Sequence, residues 1–147
     1  MNLSQKCQYA LQAVFELALR HGEGPVPVSL IAEQQMIPPR FLELILLQLK
    51  QAGYIDSRRG VQGGYSLSLP PKDVSVGDVI RTFEGPLAPV KDQRRPRRQT
   101  PPGSLAFVRL WQQAEKALAD VYDTTSFQDL VDQELAARSQ YTADFSI

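Results

Sequence analysis

The sequence predicts a mainly α-helical chain with one small β-hairpin, and three observations carry that reading. Apolar residues recur at three- and four-residue steps through most of the chain, the period of a helix with one buried face. One short stretch, Tyr65 to Leu69, alternates apolar and polar instead, the period of a half-buried strand. Clusters of glycine and proline punctuate the periodic segments. The 147 residues, 43% hydrophobic and 22% charged, suit one globular domain with or without an appended oligomerisation element.

Leu11, Val14, Phe15 and Ala18, widened by Ala10 and Leu19, mark a first helix. Ser4 is its cap, and the run His21-Gly22-Glu23-Gly24-Pro25 ends it. Ser29 to Gln35 reads as a short second helix and Met36-Ile37 as a tight turn. Such turns often have glycine where Met36 stands, so a positive φ there would cost about 1 kcal/mol. Pro38-Pro39 opens a third helix, because a proline in the first turn gives up only an N–H that would be unpaired anyway. Leu42, Ile45, Leu46 and Leu49 form its buried stripe, and Gly53 ends it. Tyr54 to Ser57 and Tyr65 to Leu69 are the strands of a hairpin, joined by a glycine-rich loop and stopped by Pro70-Pro71. Val74 to Phe83 is a fourth helix, with Val76, Val79, Ile80 and Phe83 on one face. Leu105 to Val121 is a long helix, along which Phe107, Leu110, Trp111, Ala114, Leu118 and Val121 recur at helical steps. Phe127, Leu130, Val131 and Leu135 mark a last helix, capped by Ser126 and fraying after Arg138.

The formal net charge of zero hides an asymmetry. Residues 85–104 hold five basic side chains and one acidic, among five prolines and two glycines, and read as a flexible basic loop with no buried face. Residues 105–147 hold three basic and seven acidic, so bulk charge decides nothing about a nucleic-acid partner. One cysteine excludes an intramolecular disulfide and any all-cysteine metal site within one chain. No apolar run approaches ~20 residues, so no membrane span is expected. The N-terminus lacks the pattern of a secretion signal, and a cytoplasmic site is expected.

Three helices followed by a hairpin is the order of a winged helix-turn-helix, in which the third helix fits the major groove and the hairpin is the wing. The wing tip, Arg58-Arg59-Gly60-Val61-Gln62-Gly63-Gly64-Tyr65, sets two guanidiniums beside glycines that let backbone approach a sugar-phosphate chain. The plainer alternative is a solvated hairpin turn. Leu3-Ser4, Lys6, Tyr9, Pro25-Val26-Pro27, Ile31-Ala32, Ile37-Pro38, Phe41-Leu42-Glu43, the wing tip and Val76-Gly77-Asp78-Val79-Ile80 together resemble the Rrf2 family of bacterial transcription regulators. The likeness covers residues 1–84 closely, and Ser126 to Gln133 resembles the family's closing helix.

The resemblance implies a homodimer that pairs its long helices and binds an imperfect palindrome in double-stranded DNA. Residues 1–84 would then be the DNA-binding domain, 85–104 the loop, and 105–147 the dimerisation and C-terminal helices. Phe107, Leu110, Trp111 and Leu118 need burial in any case. A second copy of the long helix can supply it, the first helix of the same chain can supply it, and both are expected to contribute. Pro39, Arg40 and Glu43 match positions with which the family contacts DNA: Arg40 suits guanine and Glu43 cytosine. Leu44 departs from the polar residue of cluster-binding members. A leucine there can touch a thymine methyl but reads no donor or acceptor. Leu47 is also unexpectedly apolar, so a different operator is expected, and a wider buried face is the alternative for both. Ser4, Lys6 and Tyr9 are candidates for phosphate contact beside the first helix N-terminus, Ser4 equally for capping alone. Arg58, Arg59, Gln62 and Tyr65 complete the expected DNA surface.

Many Rrf2 members hold an iron–sulfur cluster on three cysteines in the loop before the long helix; here that loop has none, and no cofactor is expected. A dimer's two copies of Cys7, with acidic or histidine ligands, are the one construction left for a metal, and Cys7 reads better as a small core residue. In place of ligands the loop carries Arg94, Arg95, Arg97 and Arg98: a solvated arm, an attraction to phosphate, or a docking site for an acidic protein partner such as a controlling metabolic enzyme. The function expected is a sequence-specific repressor of transcription. A winged-helix module that binds protein is the alternative, and interleaved acidic residues on the wing would have favoured it. An enzyme is not expected, because no nucleophile–base pair, metal pair or strand-to-helix glycine loop is present.

Overall fold

The computed structural model describes residues 2–90 and 101–145. Within them the elements run α1 (Gln5–Leu19), α2 (Val28–Gln35), α3 (Pro39–Gln51), β1 (Ile55–Arg58), β2 (Gly64–Leu67), a 3-10 turn (Pro71–Asp73), α4 (Val76–Glu84), α5 (Ser104–Tyr122) and α6 (Phe127–Phe145). The fold is mainly helical with one antiparallel hairpin, in the order of a winged helix-turn-helix. Arg94, Arg95, Arg97 and Arg98 of the expected basic loop lie outside the described residues.

Helix α1 is the axis of the core. Its N-terminus forms where Ser4 stops the chain in an extended conformation and its hydroxyl accepts from the Cys7 N–H at 3.1 Å. Cys7, Ala10, Ala13 and Val14 are fully buried, and α2, α3, α4 and α6 all pack against the helix. Leu11 and Phe15, expected at the centre of the buried face, are only half-buried. The physical reason is crowding: small side chains let several neighbours approach one helix closely, so they take the inner face and the bulky ones cover its margin.

The hairpin pairs Ile55 with Leu67 and Arg58 with Gly64. Val26 adds a single rung beyond β2, its N–H donating to the Tyr65 carbonyl at 2.8 Å and its carbonyl accepting from the Tyr65 N–H at 2.9 Å. Proline has no N–H, so in Pro25-Val26-Pro27 only Val26 can make both bonds. Gly64 lies at φ +156°, and a Cβ there would collide with the Val26 carbonyl.

Two matched capping boxes fasten the C-terminal part. The Ser75 hydroxyl accepts from the Asp78 N–H while the Asp78 carboxylate accepts from the Ser75 N–H, and Ser126 and Asp129 repeat the arrangement at the start of α6. Between them the Val76 N–H donates to the Thr125 carbonyl at 2.9 Å and the Phe127 N–H to the Val74 carbonyl at 3.0 Å. Phe127 and Val131 are thereby buried, and α6 packs on α1 and on the 3-10 turn. Helix α4 starts two residues later than expected because Val74 is drawn into this bridge. Helix α6 continues past Arg138 to Phe145, through a stretch with no glycine or proline. It is helped by an Arg138–Glu134 ion pair of 2.9 Å and a Tyr141–Phe145 ring contact.

Helix α5 differs from the others in having no buried residue. Of its apolar side chains Leu118, with Ala119 and Tyr122, reaches the core, and α4 rather than α1 is its main neighbour. The expected packing of the long helix on α1 is taken by α6 instead. The expectation that 85–104 buries nothing fails at Leu87, which is 1% exposed and belongs to the core. Gly85, at φ +80°, reverses the chain after α4 and so returns Leu87 to it. Among the described residues no helix is long and apolar enough to cross a membrane.

Two outcomes follow for stability. Met36 takes the left-handed conformation at φ 53° with an 89% exposed side chain, so Met36→Gly relieves strain without opening a cavity. In urea denaturation it should stabilise the chain by about 0.5–1 kcal/mol, the left-handed penalty less the extra unfolded-state freedom of glycine. The Arg81 guanidinium makes two bonds to Asp123, 2.6 and 2.8 Å, and these hold the Asp123 carboxyl below its usual range. A lowered carboxyl stabilises the fold above its ordinary pKa near 4 and stops doing so as pH falls through the lowered value. The stability gap between wild type and Asp123→Asn should therefore be small, since both side chains are partly solvated, and close as pH drops below about 4.

Candidate nucleic-acid interface

The turn that sets α3 at its angle is fixed from both sides. From within, Met36 in the left-handed region lets the Ile37 N–H reach the Ala32 carbonyl at 3.0 Å, closing α2. From α1, the Glu16 carboxylate, 2% exposed, accepts from Gln35 Nε2 and from Arg20 Nε, both at 2.7 Å. A buried carboxylate needs such partners, and Gln35 is the last residue of α2, so satisfying Glu16 ties the turn to the core.

Helix α3 then buries Leu42, Ile45, Leu46 and Leu49 and leaves Pro39, Arg40, Glu43, Leu44 and Leu47 exposed. The wider buried face considered for the two leucines is not formed within the chain: Leu44 is 64% exposed and Leu47 50%. Phe41 lies beside Tyr9, with ring centroids 6.5 Å apart, which places the start of α1 next to the start of α3. At the other end of α3 the Lys50 ammonium donates to the Ser57 hydroxyl at 2.6 Å, tying the helix to the wing strand β1.

Arg58 ends β1, and Arg59, Val61 and Gln62 are exposed at the tip that follows. Tyr65 is half-buried against the core with its backbone paired to Val26. Ser4 has its hydroxyl oxygen on the Cys7 N–H and its own N–H on the Glu84 carboxylate at 2.7 Å, so an acidic side chain already stands at the α1 N-terminus. Lys6 is exposed, its ammonium 5.8 Å from the centre of the Phe83 ring.

Several cations elsewhere in the molecule are neutralised, and the guanidiniums of this surface are not. Arg20, Arg81, Lys116 and Arg138 each face a carboxylate within 4 Å. Among the described residues none pairs with Arg40, Arg58 or Arg59. Unpaired guanidiniums on one helix start and one hairpin tip are free to meet phosphate or a base edge. Sequence reading missed the supports of this surface, Glu16 and Val26. The only signal for Glu16 was a carboxylate inside an apolar stripe, and for Val26 a lone N–H between two prolines.

Residues 3–133 match the model of the family described as "Rrf2: Iron-dependent Transcriptional regulator". The chain belongs to the Rrf2 family. The transcriptional regulator CymR of Bacillus subtilis is 35% identical over 133 residues, 88% of this chain and 89% of that one. The solved structure of B. subtilis CymR, the global cysteine regulator, superposes with a TM-score of 0.77 over 90% of this chain and 98% of that one, at 34% identity. That of T. potens IscR gives 0.75 over 91% and 88%, at 33% identity. The Rrf2 chain described here is thus a DNA-binding transcription regulator.

The family description mentions iron, and the donor set of this member does not fit an iron–sulfur cluster. It has one cysteine and one histidine. Cys7 is fully buried in α1, and burial, with the Glu84 carboxylate adding to it, pushes the thiol up to about 11. Exposed His21 follows the other end of that helix, and among the described residues no three candidate ligands are grouped to hold a metal. A protonated, enclosed thiol is a poor nucleophile. In native protein at pH 8 Cys7 should resist a disulfide reagent such as dithionitrobenzoate and react at once in denaturant, which absorbance at 412 nm would follow.

Proposed function

We propose that the protein is a repressor that binds a palindromic operator as a homodimer, with no iron–sulfur cluster and no catalytic activity, in the cytoplasm. The observation that supports this reading most is α5. It is a 19-residue helix with no buried residue, on which Leu105 is 82% exposed, Phe107 56%, Leu110 48% and Val121 60%. Phe107 also stacks on half-buried Trp111, with centroids 5.9 Å apart. An apolar face of this length is stable in water when a second copy covers it. Phe107, Leu110, Trp111, Ala114 and Val121 would form the seam, with Leu118 reaching inward to its own core. Residues 105–147 then serve assembly, and residues 1–84, with Leu87 added, serve DNA.

A two-fold dimer presents two α3 helices to successive turns of one duplex face, hence the palindrome. In this reading Arg40 takes a guanine, Glu43 accepts from a cytosine, and Pro39 sets the helix start close to the groove. Arg58, Arg59 and Gln62 approach the neighbouring backbone or groove, with Tyr65 seating the wing. Lys6 and Tyr9 serve phosphate, and Ser4 holds the α1 end in place beside them.

Analytical ultracentrifugation should find a dimer at micromolar concentration, and Phe107→Glu combined with Leu110→Glu a folded monomer. That monomer should bind operator at least tenfold more weakly, because it loses the second half-site. Arg40→Ala should cost on the order of 1–3 kcal/mol and relax choice at one position per half-site. A wild type that sediments as a monomer, or an Arg40→Ala loss equal on every sequence, overturns the reading.

A further inference from the structure

We infer that Leu44 and Leu47 are specificity residues that read the 5-methyl groups of thymines in the operator half-site; the inference rests on the DNA-binding reading given above. A helix turns 100° per residue, so Arg40, Leu44, Leu47 and Gln51 fall on one outward line of α3. All four are exposed, while Leu42, Ile45, Leu46 and Leu49 occupy the opposite side at 0–1% exposure. The line therefore begins with a guanidinium and continues as an apolar ridge about 6 Å and then about 10 Å further along the helix.

What could cover this ridge is narrowed by what surrounds it. It is continuous with Arg40 and Glu43 on the same helix, and the wing strand holding Arg58 is bonded to the end of α3 through Lys50 and Ser57. An occupant seated on the leucines must also meet cations that no described carboxylate neutralises, which favours a polyanion. A leucine side chain has no donor or acceptor and cannot read a base by hydrogen bonding. The major groove presents one apolar group, the C5-methyl of thymine, and it lies at the depth that side chains of an inserted helix reach. The ridge thus assigns thymine to positions just beyond the one read by Arg40, on a face where a polar side chain would instead select for a donor or acceptor pattern.

The test uses the full chain and double-stranded DNA. Sequences are first selected from a random duplex library. Each enriched thymine is then replaced by deoxyuridine, which removes the methyl and leaves base pairing intact. For wild type, deoxyuridine at one or two positions per half-site should weaken binding about fourfold each, the worth of one buried methyl group. In Leu44→Ala or Leu47→Ala the same replacement should cost nothing at the position that leucine reads, while Arg40→Ala leaves the methyl effect in place. Both leucines are exposed, so these variants keep the core, and the wild-type deoxyuridine scan stands without them. A selected operator whose affinity ignores every thymine methyl overturns the inference and leaves the regulator reading intact. So does a methyl effect unchanged in both leucine variants, or a leucine variant that instead changes the oligomeric state. Failure to enrich any sequence would overturn the regulator reading itself.

Discussion

The close approach of neighbours to α1 is the constraint on which the rest depends. Cys7, Ala10 and Ala13 have almost no side chain to hold neighbours off, and α2, α3, α4 and α6 converge on that helix. Through this one contact region the helix-turn-helix, the helix after the wing and the C-terminal helix share a core. A larger residue at Ala10 or Ala13 would push against packed interior on several sides at once. The same crowding decides the state of Cys7: the place that suits a small side chain also removes water from its thiol, and the sulfur serves packing rather than ligation.

Position along the chain and position in the network of charges are tied together in this molecule. Arg20, Arg81, Lys116 and Arg138 are matched by carboxylates, mostly three or four residues away, while Lys6 and Arg109 have no such partner among the described residues. Nor do Arg40, Arg58 and Arg59 of α3 and the wing. Glu16, Gln35 and Arg20 show the converse arrangement, a charge spent inside the protein to fix the turn that aims α3. The turn that aims α3 is held by an inward charge and by the left-handed Met36, while the rung through Val26 ties the chain before α2 to the wing.

Most elements were legible because their signals are local. Serine four residues into the chain, the double proline before α3, Gly53 after it and Ser126 before α6 each act on the nearest N–H or φ angle, and they worked as the sequence implied. Apart from the run of α6 past Arg138, which local contacts support, the misreadings involve partners distant in sequence. The buried side of α1 could not be taken from its own period, because several helices compete for it. Leu87 was lost in a proline-rich stretch whose composition says nothing of the core waiting behind α4. Val26 gave no strand pattern, since a single rung has no alternation. For the site, the residue types on α3 and the wing tip were plain in the sequence, but whether Leu44 and Leu47 faced inward was not: two adjacent stripes of leucine look alike until the helix has neighbours.

The bridge between Val74 and Phe127 has a mechanical consequence. With the Arg81–Asp123 pair it clamps the chain where α5 ends, while the opposite end of that helix touches little of the rest of the chain among the described residues. A beam fixed at one tip turns about the fixed point. A tilt applied near Leu105 would arrive at the joint as torque, and the joint is shared with α6, which lies along α1.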